Sequence, residues 1–248
     1  MPEVVAVIPA RFGSTRFPGK LLCTCKGHPL IYYVWKQVAR ARSIDRVLIA
    51  TDSTEIAGAA REFGAEVVRT STRPKTGTDR VAEALRSQSG DIIVNVQGDC
   101  FGLKPALLDR VIRAMMQNRN IQYATLARSI ASDEELFNPS VVKVAVDRLS
   151  RALWFSRFPI PYIQKPDERA RSAQFGFLAH IGVYFFRRPA LEAFARWKQS
   201  QFERAESLEQ LRVLDNGGII QVFKTRAATY SIDTPADLKN ATRRFMCG

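Results

Sequence analysis

Arg11, Ser14, Arg16 and Lys20 fall within one loop of the segment AVIPARFGSTRFPGK. The loop follows abruptly on the apolar run Val4–Pro9. Gly13 and Gly19 let the backbone turn tightly and approach a ligand closely, and the two prolines of the segment limit its freedom. A strand feeding a Gly-rich cationic loop suits a polyphosphate anion. The common phosphate motifs do not fit. A P-loop has four residues between its glycines and then Lys-Ser or Lys-Thr, whereas five residues separate Gly13 from Gly19 and Leu21 follows Lys20. No G-x-G-x-x-G follows the first strand either.

Two carboxylates are candidates for a divalent cation. Asp99 ends NVQGD, past a buried run, where Gly98 permits an unusual turn and Gln97 offers an amide. A carboxylate at a strand end near a phosphate loop can share Mg²⁺ with phosphate oxygens; a turn or capping Asp would look the same. Asp233, in SIDTPADL, reads equally as a helix cap. In TGTDR, Gly77, Thr78 and Arg80 could read a base or a sugar, while Thr78 could simply cap a helix. His180 opens the apolar run HIGVYFF, where a histidine is commonly structural. Glu206 and Glu209 fit one helix face beside Arg212.

These groups need a scaffold, and the chain alternates short apolar strands with helix-period segments. Val4–Pro9, Arg46–Ala50, Glu66–Arg69 and Asp91–Val96 read as strands. Helices are predicted over Pro29–Arg42, from the cap Ser53 to Phe63, from the cap Thr78 through Leu85, and over Pro105–Met116. This alternation implies an α/β fold with a mostly parallel sheet and helices on both faces. The second half is mixed: strands Tyr123–Ser129, Val141–Asp147, Ala152–Ser156, His180–Arg187 and Ile219–Thr225, helices Pro189–Lys198 and Ala205–Asn216, and a last helix from Thr234. Pro159–Gln174, rich in Pro and charge, reads as an excursion. In such sheets ligands sit beyond the carboxyl ends of the strands, where Ala10–Lys20, Thr51-Asp52 and Asn95–Asp99 should meet.

At 248 residues, with 46% hydrophobic and 25% charged residues, the composition suits one soluble domain. Met1-Pro2-Glu3 opens without a basic stretch and apolar core, and no run reaches bilayer length, so a cytosolic protein is expected. Cys23, Cys25, Cys100 and Cys247 form no C-x-x-C pair and read as reduced thiols. The net charge of +13 suits an anionic ligand. The basic residues are scattered pairs without a nucleic-acid-binding motif, which argues against a nucleic-acid partner.

Taken together, IPARFGSTRFPGK, ATD, TGTDRVAEAL, IVNVQGD, FNPSVVKV, ALWFSRFPIPY, HIGVYFFR, LEQLRVL and IDTPADL resemble, in order and spacing, the bacterial 3-deoxy-manno-octulosonate (Kdo) cytidylyltransferases. The resemblance runs from Val4 to about Leu238. It implies a nucleotide-diphospho-sugar transferase-like fold, a mixed, mostly parallel sheet flanked by helices. It also implies a single domain over residues 1–248, with about 120–190 contributing a smaller sugar-binding and dimerisation lobe. The implied reaction joins CTP to Kdo, giving CMP-Kdo and pyrophosphate for lipopolysaccharide synthesis, in a Mg²⁺-dependent cytosolic homodimer. By the same resemblance Arg11, Ser14 and Lys20 would grip the CTP phosphates. Gly77, Thr78 and Arg80 would lie by the cytidine, and Asp99 and Asp233 would hold Mg²⁺. Gln97, Arg157, His180, Tyr184, Glu209 and Gln210 would face the sugar acid. The catalytic set would be Arg11, Lys20, Asp99 and Asp233.

The chain departs from this pattern at three places. Cys100-Phe101 stands where Glu-Pro is usual, Arg73-Pro74-Lys75 where acidic or His residues are common, and Phe185-Phe186 where Gly-Tyr is usual. Losing the carboxylate after Asp99, and adding bulk after Tyr184, leave room for 8-amino-Kdo or another acidic 2-keto sugar. A non-catalytic relative that binds nucleotide or nucleic acid is the remaining alternative.

Overall fold

Every residue of the first strand, Val4–Ala10, is buried, and successive side chains enter opposite cores. Val4, Ala6 and Ile8 join one apolar cluster, Val5 and Val7 the other. The period of two and helices on both faces produce this continuous apolar run. The computed structural model describes residues 2–13, 17, 19–227 and 229–232.

After β1 (Val4–Ala10) and a short turn over Lys20–Leu22 come the small hairpin β2 (Thr24–Cys25) and β3 (His28–Pro29), then α1 (Leu30–Val38). Next follow β4 (Arg46–Thr51), α2 (Thr54–Glu62), β5 (Glu66–Arg69), α3 (Gly77–Ala84), β6 (Ile92–Val96), β7 (Cys100–Phe101) and α4 (Pro105–Gln117). The second half runs through β8 (Tyr123–Ser129), α5 (Asp133–Phe137), β9 (Lys143–Val146), β10 (Ala152–Ser156), α6 (Arg171–Gln174), β11 (Leu178–Arg187) and α7 (Arg188–Arg196). It continues with α8 (Gln201–Glu206), α9 (Leu211–Asp215), β12 (Ile220–Thr225) and β13 (Tyr230–Ser231).

The main sheet is ordered β10-β9-β11-β6-β1-β4-β5, with β8 between β11 and β12. β1 is parallel to β4 and β6, and β4 is parallel to β5. β11 is antiparallel to β6 and β8, which makes the sheet mixed. The C-terminal half of β11 pairs with β6, while Ala179 pairs with Lys143 of β9. Between these two stretches of β11 its register with β8 shifts, and Gly182 O accepts from Gln97 N at 3.3 Å. The sheet therefore forks beside the end of β6.

Several expected boundaries change; the helix expected over Pro29–Arg42 ends at Val38. Thr76, not Thr78, caps α3: its hydroxyl accepts from Asp79 N, and the Asp79 carboxylate accepts from Thr76 N. This reciprocal capping box leaves Thr78 inside the first turn. The helix expected over Ala205–Asn216 is two helices, because Ser207 adopts φ 52 and ends α8. Glu206 and Glu209 therefore do not share a helix face. The helix expected from Thr234 lies outside the described residues.

Candidate active site

The loop after β1 returns on itself, with Gly19 N donating to Phe12 O at 3.1 Å. Lys20 then opens a short turn whose Leu21 is buried. The turn after β6 comes close to it: a side chain at Gly98 would meet Leu21 at 3.2 Å and Pro9 O at 3.4 Å. Glycine is needed there for this approach, which brings Asp99 beside the basic loop. Lys20 Nζ lies 2.5 Å from Asp99 Oδ2. Ile232 N donates to Asp99 O at 3.3 Å, so the chain just before Asp233 runs alongside Asp99. Asp233 and Ser14 themselves lie outside the described residues.

Arg11 turns toward the approach to α3, donating to Pro74 O at 2.6 Å and Thr76 O at 3.0 Å. Burial and the neighbouring Arg80 lower its pKa below the usual arginine value. Arg80 is only 1% exposed. It binds Asp52 at 3.1 Å and also donates to Thr70 and Ser71, so it braces the strand ends rather than facing a cleft. Thr78 is buried too: its N–H donates to Glu209 Oε2 at 2.9 Å and its hydroxyl accepts from Asn95 at 2.9 Å. Of the three residues expected near a cytidine, Gly77 alone lines an open cavity, about 420 Å³ in volume and shared with Gln97, Glu209 and Gln210.

An adjoining cleft of about 310 Å³ occupies the fork of the sheet. Asp99 and Cys100 line one end, and Gln97, Arg157, His180, Tyr184 and Gln210 line the rest. Five of the six residues expected to face a sugar acid thus meet there, and the sixth, Glu209, lines the neighbouring cavity. Gln97 Nε2 donates to Glu209 Oε1 at 3.3 Å. Burial raises the Glu209 pKa, against the hydrogen bond from Thr78 N.

His180 is held neutral, its pKa lowered to about 3 by burial. Its Nε2 meets Thr125 Oγ1 at 2.9 Å, and that hydroxyl donates to Val183 O at 2.7 Å. The hydroxyl proton being spent, Nε2 carries the imidazole proton and Nδ1 remains an acceptor. Tyr184 donates to Gln210 Oε1 at 3.0 Å, while the buried Gln210 Nε2 has no partner among the described residues. A buried amide donor left open at a cleft is suited to a ligand hydroxyl.

Among the described residues no group of three or more His, Cys, Asp or Glu side chains could enclose a metal. The Cys100 thiol is pushed up to about 12 by burial and by Asp99, so it is not a thiolate. Asp99, one carboxylate at an open strand end, fits a Mg²⁺ completed by phosphate oxygens and water rather than an all-protein cage. Phe185 and Phe186 are corrected: both pack into the apolar cores and neither lines this cleft. Sequence reasoning missed Arg128, which lines the cleft, and Lys143 behind it. A lone lysine within the apolar run VVKVAV was the available signal.

An open α/β sheet with a basic loop, a strand-end carboxylate and a polar cleft in its fork suits a nucleotidyltransferase. The Cytidylyltransferase family profile matches residues 5–240. The chain is 40% identical over 251 residues to the 3-deoxy-manno-octulosonate cytidylyltransferase of Trichlorobacter lovleyi, covering 99% of this chain and 100% of that one. It is 42% identical over 248 residues to the protein of that name from Pelobacter propionicus, covering 98% and 97%. The fold matches a CMP:2-keto-3-deoxy-manno-octonic acid synthetase solved in complex with CTP, with a TM-score of 0.88, 35% identity and 97% of each chain covered. The chain belongs to the cytidylyltransferase family, among the 3-deoxy-manno-octulosonate cytidylyltransferases.

Proposed function

We propose that this protein joins CTP to Kdo, giving CMP-Kdo and pyrophosphate for lipopolysaccharide synthesis. The observation that carries this reading is that Asp99, paired with Lys20 of the basic loop, shares one cleft with Arg157, His180, Tyr184 and Gln210. Lys20 and the loop after β1 meet the triphosphate. Arg11 fixes the Pro74–Thr76 segment, where Gly77 leaves room for the nucleoside. Gln97, neutral His180 and Gln210 hold the sugar hydroxyls, so the anomeric oxygen approaches the α-phosphorus in line with the leaving pyrophosphate. Bound by Asp99, and by Asp233 if its carboxylate joins, Mg²⁺ would neutralise charge on the triphosphate.

Kdo is favoured over 8-amino-Kdo by the lining itself. Asp99 is the only carboxylate among the described residues of the cleft, and Lys20 already pairs with it. An ammonium on the sugar would find no free counter-charge there. The reading includes a cytoplasmic enzyme, since it consumes CTP; no described helix is long and apolar enough to cross a membrane. It also includes a homodimer through the 120–190 lobe, supported by an apolar cleft of about 210 Å³ where Phe137, Phe158 and Tyr162 lie exposed.

The test is pyrophosphate release with CTP, Mg²⁺ and a panel containing Kdo, 8-amino-Kdo and other keto-sugar acids. Release should require CTP, Mg²⁺ and Kdo together. Preference for another sugar acid would overturn the substrate assignment, and no release with any acid would overturn the transferase reading.

A further inference from the structure

Lys143 is fully buried, with 0% of its surface exposed. Its ammonium donates to three backbone carbonyls, Asn138 O at 2.8 Å, Val141 O at 2.7 Å and Arg157 O at 2.7 Å. No carboxylate lies within ion-pair distance of it among the described residues. Sealing an ammonium from water without a counter-ion is expensive, and carbonyl dipoles offset only part of that cost. A simple structural plug at this position would not need a charge.

A second cation grips the same turn. Arg157 Nη1 donates to Pro139 O at 2.9 Å, while its Nε donates to Glu206 O at 2.7 Å and its Nη2 to Ser207 O at 3.4 Å. The carbonyls of residues 138, 139 and 141 are therefore all bound by two like charges that repel each other. The nearby acids are already engaged. Glu135 accepts from Arg128 and from Ala131 N, and Glu206 accepts from Ser156 Oγ and Arg157 N. Ser140, Val141, Val142, Arg128 and Arg157 form one wall of the cleft in the sheet fork. That wall has an excess of positive charge behind it, and an anion in the cleft would relieve it.

We propose that Lys143 is a positioning residue for the acidic group of the substrate. With Arg157 it clamps the 138–141 turn and places a second positive charge behind the wall, so this end of the cleft receives the sugar carboxylate. The inference rests on the transfer reading above and deepens it. Lys143 does not touch the substrate; it acts through Arg157 and the turn.

The experiment compares Lys143→Met with the native protein on Kdo and on its neutral carboxamide, with CTP and Mg²⁺ held constant. The KM for Kdo should rise about tenfold with the KM for CTP little changed, and the preference for acid over carboxamide should fall by a similar factor. Loss of a mere structural prop would lower turnover of both substrates alike and leave that preference intact. An unchanged preference overturns the proposal. If Lys143→Met does not fold, Ser140→Asp adds a negative charge at an exposed position of the same wall. It should reduce the preference for the acid, and an unaltered preference overturns the proposal again. Native protein inactive on every keto acid would instead overturn the transfer reading, and this subsite with it.

Discussion

Lys20 Nζ sits 2.5 Å from Asp99 Oδ2 and donates at 2.9 Å to Ile232 O, so one ammonium joins three separate stretches of chain. The basic loop, the turn after β6 and the segment entering Asp233 are tied at this point. The two side chains have different expected roles. If Lys20 meets the triphosphate as proposed, Lys20→Ala should raise the KM for CTP about tenfold. Asp99→Asn keeps the shape but removes the charge, and kcat should fall about a hundredfold. Steady-state pyrophosphate release, with circular dichroism as a fold control, checks both. Near-native kcat in Asp99→Asn would remove the carboxylate from the mechanism.

A buried ion network holds α3 against α8 and α9, the two helices that flank Glu209. Arg212 is 2% exposed and lies 2.6 Å from Glu203 and 2.7 Å from Asp79, over the face of Phe194. Asp79 also closes the capping box of α3. Arg212→Met leaves two carboxylates without their cation, so stability should fall by about 3–5 kcal/mol in chemical denaturation. Burial opposes ionisation of Asp79, but the bonds from Arg212 outweigh it and its pKa is lowered. Its contribution is therefore present above the unfolded carboxylate value of about 4 and is lost as pH falls through the lower folded value. Asp79→Asn should flatten the acid limb of the stability curve, and an unaltered acid limb would exclude this role.

The parallel half of the fold was legible because it is written locally. β1 is apolar and β6 nearly so on both buried faces, and Ser53 caps α2 as expected, accepting from Ile56 N at 3.1 Å. Where tertiary contacts decide, periodicity was silent. The residues 205–216 kept a helical pattern, yet Ser207 turns left-handed so that Glu209 can reach Thr78 N. Arg80 looked like a ligand group in TGTDR, but its partners Asp52 and Thr70 are at the ends of strands that only the sheet brings near. Lys143 was passed over because a single cation in an apolar strand has no meaning until the turn it binds is placed. The cleft lining was legible through the family resemblance rather than through spacing.

The proposed dimer makes a separate prediction. Phe158 is 73% exposed and Tyr162 83% exposed, and both line an apolar cleft with the exposed Phe137. Large apolar side chains clustered at a surface mark an association site. Phe158→Glu with Tyr162→Glu should sediment as a monomer near 28 kDa. The native chain should sediment at twice that mass. A native chain that sediments as a monomer at micromolar concentration would refute the dimer.

His180 supplies the last prediction. Its folded pKa is lowered to about 3 by burial, against an ordinary value of 6.5. The folded imidazole therefore stays neutral through a range in which the unfolded chain takes up a proton. By linkage the stability it contributes is intact above about pH 6.5 and is lost as pH falls toward 3, by at most about 1.4 kcal/mol per pH unit. His180→Asn removes this titration, so its stability should vary less between pH 6.5 and 4 than that of the native protein. Asparagine keeps an acceptor near the Nδ1 position, so His180→Leu is the variant that deletes it; in His180→Leu the KM for the sugar should rise while that for CTP does not. Heteronuclear NMR of the ring nitrogens at pH 5 decides the matter: a neutral ring protonated at Nε2 is expected, and a doubly protonated ring would overturn both the burial argument and the acceptor role.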